Sequence, residues 1–297
     1  MKLALFGRKT DISNLKRLNV ILNRLKENSD IELRFYAPFY NCLRDNDFIE
    51  SGYPTFSSHE DLPSDTNLFL AFGGDGTFLE SLTFIRGREI PVAGINSGRL
   101  GFLTTAQIDG DNSWIDKLLC GNYRVEKRTV LEFETDTPES VPNNFYKCAL
   151  NEITLQRRSP VMLEISVSVD GRPLPVYLAD GILIGSATGS TAYSLSVGGP
   201  IVTPDSKVLI ISPIAPHNLN VRPIIAPETS VIEISYDTRG DDALLTSDNR
   251  FFVFPKCGKI TISKSSSPLN SISVNNSFIE ALNQKLLWGE DKRNMLK

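Results

Sequence analysis

The hydrophobic pattern of this chain changes period at Gly121-Asn122-Tyr123, and that change restricts the folds it can adopt. Before Gly121-Asn122-Tyr123, short apolar runs alternate with segments whose apolar residues recur at helical spacing; beyond it, apolar residues recur at every second position. Helical spacing buries one stripe of a helix, and alternation buries one face of a strand. The first part therefore predicts βα units forming an open parallel sheet with helices on both faces. The second predicts an all-β domain, a sandwich or layered sheet. The expected division is an α/β domain over 1–124, a β domain over 125–277, and a terminal segment, 278–297, packing back on the first. At 297 residues the chain is long enough to bury both cores.

In the first part, residues 2–6 read as a strand closed by Gly7, followed by a helix carrying Ile12, Leu15, Leu18, Ile21, Leu22 and Leu25 on one face, with Thr10 or Asp11 as cap. Strands follow at 31–35, 68–72 and 90–95, helices at 77–86 and 114–119, and a polar, weakly helical connection after the second strand. In the second part Val161, Leu163, Ile165, Val167 and Val169 alternate up to Asp170-Gly171, a hairpin turn signal. Further strands are expected at 208–211, 231–234, 251–254 and 259–262. Phe278, Ala281, Leu282, Lys285 and Leu286 then return to helical spacing.

A net charge of -4 argues against a general nucleic-acid binder while leaving room for a local positive cleft. No apolar run approaches the roughly 20 residues that span a membrane. The cysteines Cys42, Cys120, Cys148 and Cys257 are scattered and form no C-x-x-C pair, which suits free thiols in a reducing cytoplasm. With His59 and His217 as its two histidines, the chain has no local His/Cys metal cluster. Any metal would be held by oxygen ligands and substrate phosphates.

Three passages carry chemistry. Gly73-Gly74-Asp75-Gly76-Thr77 follows the apolar run 68–72, so a buried strand delivers a glycine turn to the start of a helix. Glycines there can adopt positive φ and let a phosphate reach the main-chain N–H groups. A carboxylate repels phosphate, so Asp75 either accepts a hydroxyl proton, holds a cation between phosphates, or merely caps the helix. Gly185-Ser186-Ala187-Thr188-Gly189-Ser190-Thr191-Ala192-Tyr193 follows another apolar run; its exposed amides and hydroxyls suit a phosphate or ribose, and Tyr193 suits a base. Asn151-Glu152 can read nucleoside hydroxyls and amino groups, or serve as an edge-strand polar pair. Asp180 is a site residue or a turn former. His217 reads as a loop-packing residue and Lys127-Arg128 as a solvated face, with Arg128 near the domain junction able to meet a phosphate. The chain has neither a Walker A loop nor a G-x-G-x-x-G fingerprint after a strand. The loop around Asp75 alone fits a lipid or sugar kinase too, and a nucleotide-sensing protein without turnover.

In order and spacing, Gly73-Gly74-Asp75-Gly76-Thr77, Asn151-Glu152 and Thr188-Gly189-Ser190-Thr191-Ala192-Tyr193 with Gly198-Gly199-Pro200 resemble the signature motifs of the NAD kinase family. The resemblance extends to the opening strand, to a second glycine loop at 95–103, to Pro216-His217 through Arg222-Pro223, and to Lys285-Leu286-Leu287-Trp288-Gly289. It implies an N-terminal Rossmann-like α/β domain and a C-terminal β-sandwich, with the active site in the cleft between them. It also implies transfer of the ATP γ-phosphoryl group to the 2′-hydroxyl of the adenosine ribose of NAD. Asp75 would accept the hydroxyl proton, with Gly76 beside it; Asn151 and Glu152 would hold the second nucleoside portion. Asp180 would face the nicotinamide side, and Thr191, Ala192, Tyr193, Ser194, Leu195 and Ser196 would line the dinucleotide pocket. A Mg2+ or Mn2+ ion would bridge the ATP phosphates, with no protein ligand assigned to it. The resemblance further implies a homodimer or homotetramer of the cytoplasm, the usual state of the family's members. A carboxylate is far less basic than an alkoxide, so Asp75 is expected to take the proton late, as the P–O bond forms. The sequence departs from the family pattern at Ala187, Val197 and Ser247-Asp248-Asn249-Arg250, where Asp-Gly-Gln is common. Leu178 stands where an arginine or a glycine accompanies different NAD and NADH preferences.

Overall fold

The computed structural model describes residues 1–8, 12–96, 101–104, 106–108, 113–240, 242–274 and 278–286. The chain divides into two compact units, Met1–Glu126 with Asn270–Lys297, and Lys127–Leu269.

In the first unit the strands are β1 (Lys2–Gly7), β2 (Glu32–Tyr36), β3 (Thr55–Phe56), β4 (Leu68–Phe72), β5 (Val92–Asn96), β6 (Ala106–Gln107) and β7 (Arg124–Arg128), and the helices α1 (Ile12–Lys26), α2 (Ala37–Arg44), α3 (Asp75–Ile85) and α4 (Ser113–Leu119). Five strands lie in the order β3-β2-β1-β4-β5, all parallel, with β1 between β2 and β4 through Leu5 opposite both Phe35 and Leu70. Every residue of β4 and β5 is buried, the reason these strands read as unbroken apolar runs. The order reverses at β1, and sheets of this kind bind ligands beyond the carboxyl ends of their strands. The β4–α3 turn leaves from that edge.

Helix α1 buries Leu15, Leu18, Ile21, Leu22 and Leu25, whereas Ile12, expected on the same face, is exposed in its first turn. The candidate caps Thr10 and Asp11 lie outside the described residues. The connection after β2 forms a full helix, α2, with Pro38 in its first turn and Phe39, Tyr40, Cys42 and Leu43 buried. Proline costs nothing there because the first amides of a helix lack intrahelical partners. Helix α3 starts at Asp75, two residues earlier than the pattern suggests. Of the turn glycines, Gly73 has positive φ, at 153°, while Gly74 is extended at -83°.

In the second unit the elements are β8 (Leu131–Thr135), β9 (Cys148–Ala149), β10 (Glu152–Arg157), β11 (Leu163–Val169), β12 (Arg172–Pro173), β13 (Tyr177–Ala179), β14 (Gly181–Ser186), α5 (Tyr193–Ser196), β15 (Val208–Ile214), β16 (Ile224–Pro227), β17 (Ile232–Thr238), β18 (Ala243–Ser247), β19 (Arg250–Phe254) and β20 (Cys257–Lys264). One sheet runs β16-β15-β14-β10-β18-β19 and the other β12-β11-β17-β20-β8-β9 with β13 beside β11, in antiparallel pairs. Ile153, Ile184, Ile211 and Leu245 of the first share one core with Phe133, Ile165, Ile234 and Ile260 of the second, which makes a sandwich. Strand β17 shows the pattern most plainly, with Ile232, Ile234 and Tyr236 inward and Glu233 and Ser235 outward. Asp170 and Gly171 form the expected turn with φ of 50° and 74°. Two expectations fail here: Val161 is exposed ahead of β11, and Arg128 is buried rather than solvated, although Lys127 is exposed.

After β20 the chain returns to the first sheet through β21 (Leu269–Ser273), parallel to β5 with Ser271 opposite Val92. Helix α6 (Phe278–Leu286) follows, with Ala281 and Leu282 buried. Its Phe278 ring lies 6.0 Å from the Phe102 ring.

Candidate active site

Asp75 opens α3, the end of a helix that favours negative charge. It does not cap that helix; Gly74 occupies the N-cap, and the Asp75 carboxylate reaches a different segment. Phe102 N–H donates to Oδ2 at 3.0 Å and Leu103 N–H to Oδ1 at 3.1 Å. Lys285 Nζ, on α6, donates to Oδ2 at 3.1 Å. The two glycine-containing loops therefore meet at this carboxylate, as their exit from one sheet edge implies. Gly101 is what allows the approach: a Cβ there would stand 1.8 Å from Asp75 Oδ1. The side chain of Asp75 keeps 28% of its surface, so a ligand atom can reach it. Ser97, Gly98, Arg99 and Leu100 of the second loop, and Leu287-Trp288-Gly289, lie outside the described residues.

In the second unit Asn151 and Glu152 enter β10 and are both buried. Their backbone is gripped from two sides. The Asp248 carboxylate accepts N–H bonds from Leu150, Asn151 and Glu152 at 2.8, 2.7 and 3.3 Å. Opposite it, Ser186 N–H donates to Asn151 O at 2.8 Å and Ser186 Oγ to Leu150 O at 2.5 Å. Gly189 lies against the same peptide, where a Cβ would fall 2.2 Å from Asn151 O. The glycine of the third motif is thus a packing requirement of the second. Burial pushes the Asp248 carboxyl up from the usual range, against its three amide donors and Arg250. Burial pushes Glu152 up to about 8, the Asp248 charge adding to the shift and the Tyr193 N–H opposing it. At neutral pH Glu152 is therefore largely protonated and can donate a hydrogen bond as well as accept one.

The Gly/Ser/Thr turn differs from its sequence reading. Ser186 and Ser190 hydroxyls are buried and used inward, Ser190 Oγ bonding both Val202 O and Val202 N–H at 3.0 and 3.2 Å. Thr191, Ala192 and Leu195 are half-buried, Ser194 is buried, and Tyr193 and Ser196 are exposed. Glu152 Oε2, Thr188 Oγ1 and Ser194 Oγ are buried with no hydrogen-bond partner among the described residues. Asp180 is held by Arg157 in a two-pronged ion pair, Nε to Oδ1 at 2.8 Å and Nη2 to Oδ2 at 3.0 Å. Arg250, in the passage that departs from Asp-Gly-Gln, donates to Tyr146 O and Cys148 O, both at 2.5 Å, so it braces the backbone. Sequence reading missed Lys285 as a partner of Asp75 and Asp248 as the clamp on Asn151-Glu152. The terminal lysine motif and the turn-forming Asp248-Asn249 pair were the available signals.

A parallel sheet of order 3-2-1-4-5 with a carboxylate at a helix N-terminus, in a chain that adds a sandwich presenting buried unpaired polar atoms, suits a nucleotide-using enzyme, and the family models that the chain matches make it a phosphotransferase. Residues 43–123 match the ATP-NAD kinase N-terminal domain model and residues 150–274 the ATP-NAD kinase C-terminal domain model. The chain is 38% identical to the NAD kinase of Christiangramia forsetii, over 99% of this chain and 100% of that protein. It is 39% identical to that of Flavobacterium psychrophilum over the same shares. Among solved structures it is similar to an NAD kinase from Archaeoglobus fulgidus in complex with ATP, at 27% identity and TM-score 0.71 over 97% of this chain and 98% of that one. It also shares the fold of yeast NADH kinase complexed with NADH, at 23% identity and TM-score 0.86 over 98% of this chain and 89% of that one. The chain belongs to the NAD kinase family, whose activity is phosphoryl transfer from ATP to NAD.

Proposed function

We propose that Asp75 accepts the proton of the adenosine ribose 2′-hydroxyl of NAD as the γ-phosphoryl group of ATP is transferred to that oxygen. The observation that carries this reading is the Asp75 carboxylate itself. It is open to solvent and held by Phe102 and Leu103 amides, beside a helix N-terminus able to receive phosphate. Phosphoryl transfer asks mainly for alignment and charge neutralisation, so such an acceptor with amide-lined turns is a sufficient inventory. Gly76, in the first turn of α3, lies close to the nucleotide in this reading.

Asn151 and Glu152 hold the second nucleoside portion. Glu152 Oε2 and the Thr188 and Ser194 hydroxyls support this, since a buried polar atom left unpaired costs about 1–3 kcal/mol and a substrate hydroxyl or amide supplies the partner. Thr191, Ala192, Tyr193, Ser194, Leu195 and Ser196 line the dinucleotide pocket, the exposed Tyr193 ring offering a stacking face. Asp180, oriented by Arg157, faces the nicotinamide side.

A divalent cation, Mg2+ or Mn2+, held mainly by the phosphates of ATP, would supply positive charge against that of the transferring group. Among the described residues no group of three or more His, Cys, Asp or Glu side chains is placed to hold a metal ion. In this reading the oxygen ligands of the cation come mainly from the nucleotide, as Mg2+ accepts. No helix of the described residues is long and apolar enough to cross a membrane, and all four cysteines are free thiols. We place the enzyme in the cytoplasm as a homodimer or homotetramer, the family's habit.

The test is NADP formation by the purified protein with NAD, ATP and Mg2+. Tyr193→Ala is expected to raise KM for NAD by roughly 2- to 10-fold, in line with one aromatic stacking contact. An unchanged KM would remove Tyr193 from the pocket.

A further inference from the structure

Lys285 reaches Asp75 from the other end of the sequence, 210 positions away, and its place is fixed three times over. Its ammonium donates to Oδ2 at 3.1 Å and stands 4.8 Å from the centre of the Phe102 ring, whose own backbone N–H binds the same oxygen. Helix α6, which carries it, is anchored by buried Ala281 and Leu282 and by the Phe278 ring against Phe102. A half-exposed ion pair of this kind contributes little to stability, about 1 kcal/mol at most. Its consequence is chemical.

A carboxylate offers about four acceptor positions, two on each oxygen. On Oδ2 both are filled, by the Phe102 N–H and by Lys285; on Oδ1 the Leu103 N–H takes one. Among the described residues, the remaining position is on Oδ1. We propose that Lys285 is a positioning residue for phosphoryl transfer: it saturates Oδ2, leaves Oδ1 as the atom that receives the proton, and offsets the carboxylate charge that would repel the phosphates of the donor. This rests on the reading of Asp75 as proton acceptor. In the step it serves, the bond from the ribose oxygen to the γ-phosphorus forms and the bond from that phosphorus to the bridging oxygen breaks. ADP leaves with the electron pair, and the ribose proton passes to Oδ1. Without Lys285, Oδ2 regains an open lone pair and the carboxylate keeps its full charge, held by the Phe102 and Leu103 N–H groups alone.

Steady-state kinetics with Lys285→Met and Lys285→Arg test this. The methionine variant is expected to lose roughly 10- to 100-fold in kcat, the effect of one charged hydrogen bond, with KM for NAD within about threefold of wild type. Arginine, which keeps the charge and the donor, is expected to recover most of the rate. In an Asp75→Asn background the methionine substitution is expected to cost almost nothing more, because a positioning residue has no effect without the group it positions. A kcat within twofold of wild type, a loss carried wholly by KM, an arginine variant as slow as methionine, or full additivity with Asp75→Asn would each overturn the proposal. If methionine lowers the midpoint of thermal unfolding, Lys285→Gln, with its polar end, carries the same comparison. Wild-type activity in Asp75→Asn would instead defeat the reading of Asp75, a separate outcome visible in the same assay.

Discussion

Asp75 and Glu152 are both carboxyl groups at the head of an element, and their surroundings give them opposite properties. Asp75 keeps contact with water and has three donors drawn from two distant segments. Glu152 is buried, receives one backbone N–H from Tyr193, and lies beside a second buried acid, Asp248. The first arrangement suits a group that must accept a proton from a ligand and release it to solvent. The second suits a group that stays protonated at neutral pH and reads a ligand by hydrogen bonding. What separates them is desolvation and donor count, not residue type.

The comparison breaks most severely if Asp75 is dispensable. Asp75→Asn keeps the shape and removes the acceptor, and is expected to lower kcat on the order of a thousandfold while NAD still binds, read by NADP formation and by titration calorimetry. Wild-type turnover would remove Asp75 from the mechanism.

Next is Gly101→Ala, which places a methyl group 1.8 Å from Asp75 Oδ1 and must displace that carboxylate. A misplacement of this size is expected to cost roughly a hundredfold in kcat with the thermal midpoint little changed. A fully active alanine variant would show that the loop geometry around Asp75 is immaterial.

Gly189→Ala probes the other carboxyl. The added carbon meets the Asn151 backbone rather than a movable side-chain end, so overpacking is expected to cost about 1–3 kcal/mol of stability and to raise KM for NAD. Denaturant unfolding and kinetics read the two effects, and a neutral substitution would uncouple the second and third motifs.

The last effect is a pH dependence, spread gradually over several pH units. In the native chain Glu152 titrates at about 8 against 4.5 for the ordinary group. Between those values the folded state keeps a proton that the unfolded state has lost, so stability is greatest below about 4.5 and falls as pH rises towards 8. Glu152→Gln is expected to flatten that decline by roughly 3 kcal/mol or less between pH 5 and 8, read by unfolding midpoints. An unchanged slope would show that Glu152 is ionised in the native protein.

How much of this was legible in the chain depends on the distance over which each interaction acts. Strand β4 and the turn to α3 are readable because five buried residues run directly into Gly73-Gly74-Asp75-Gly76. The clean alternation of β17 is likewise local. Helix α2 was hidden because its apolar residues are clustered behind a proline instead of spaced along a long face. Ser186 and Ser190 looked like exposed ligands because sequence shows their hydroxyls but not the carbonyls of Leu150 and Val202 that they bond.

Alone, the amino-acid order determined the two periodicities, the glycine turn that carries Asp75, the polar pair at Asn151-Glu152 and the family to which they belong. These depend on which residues are neighbours along the chain. Tertiary structure decided what surrounds each carboxyl: Phe102, Leu103 and Lys285 at Asp75, and Asp248, Ser186 and Gly189 around Asn151-Glu152. Hydrogen bonding and desolvation act over a few ångströms of space, and only folding brings residues so far apart in sequence within that range.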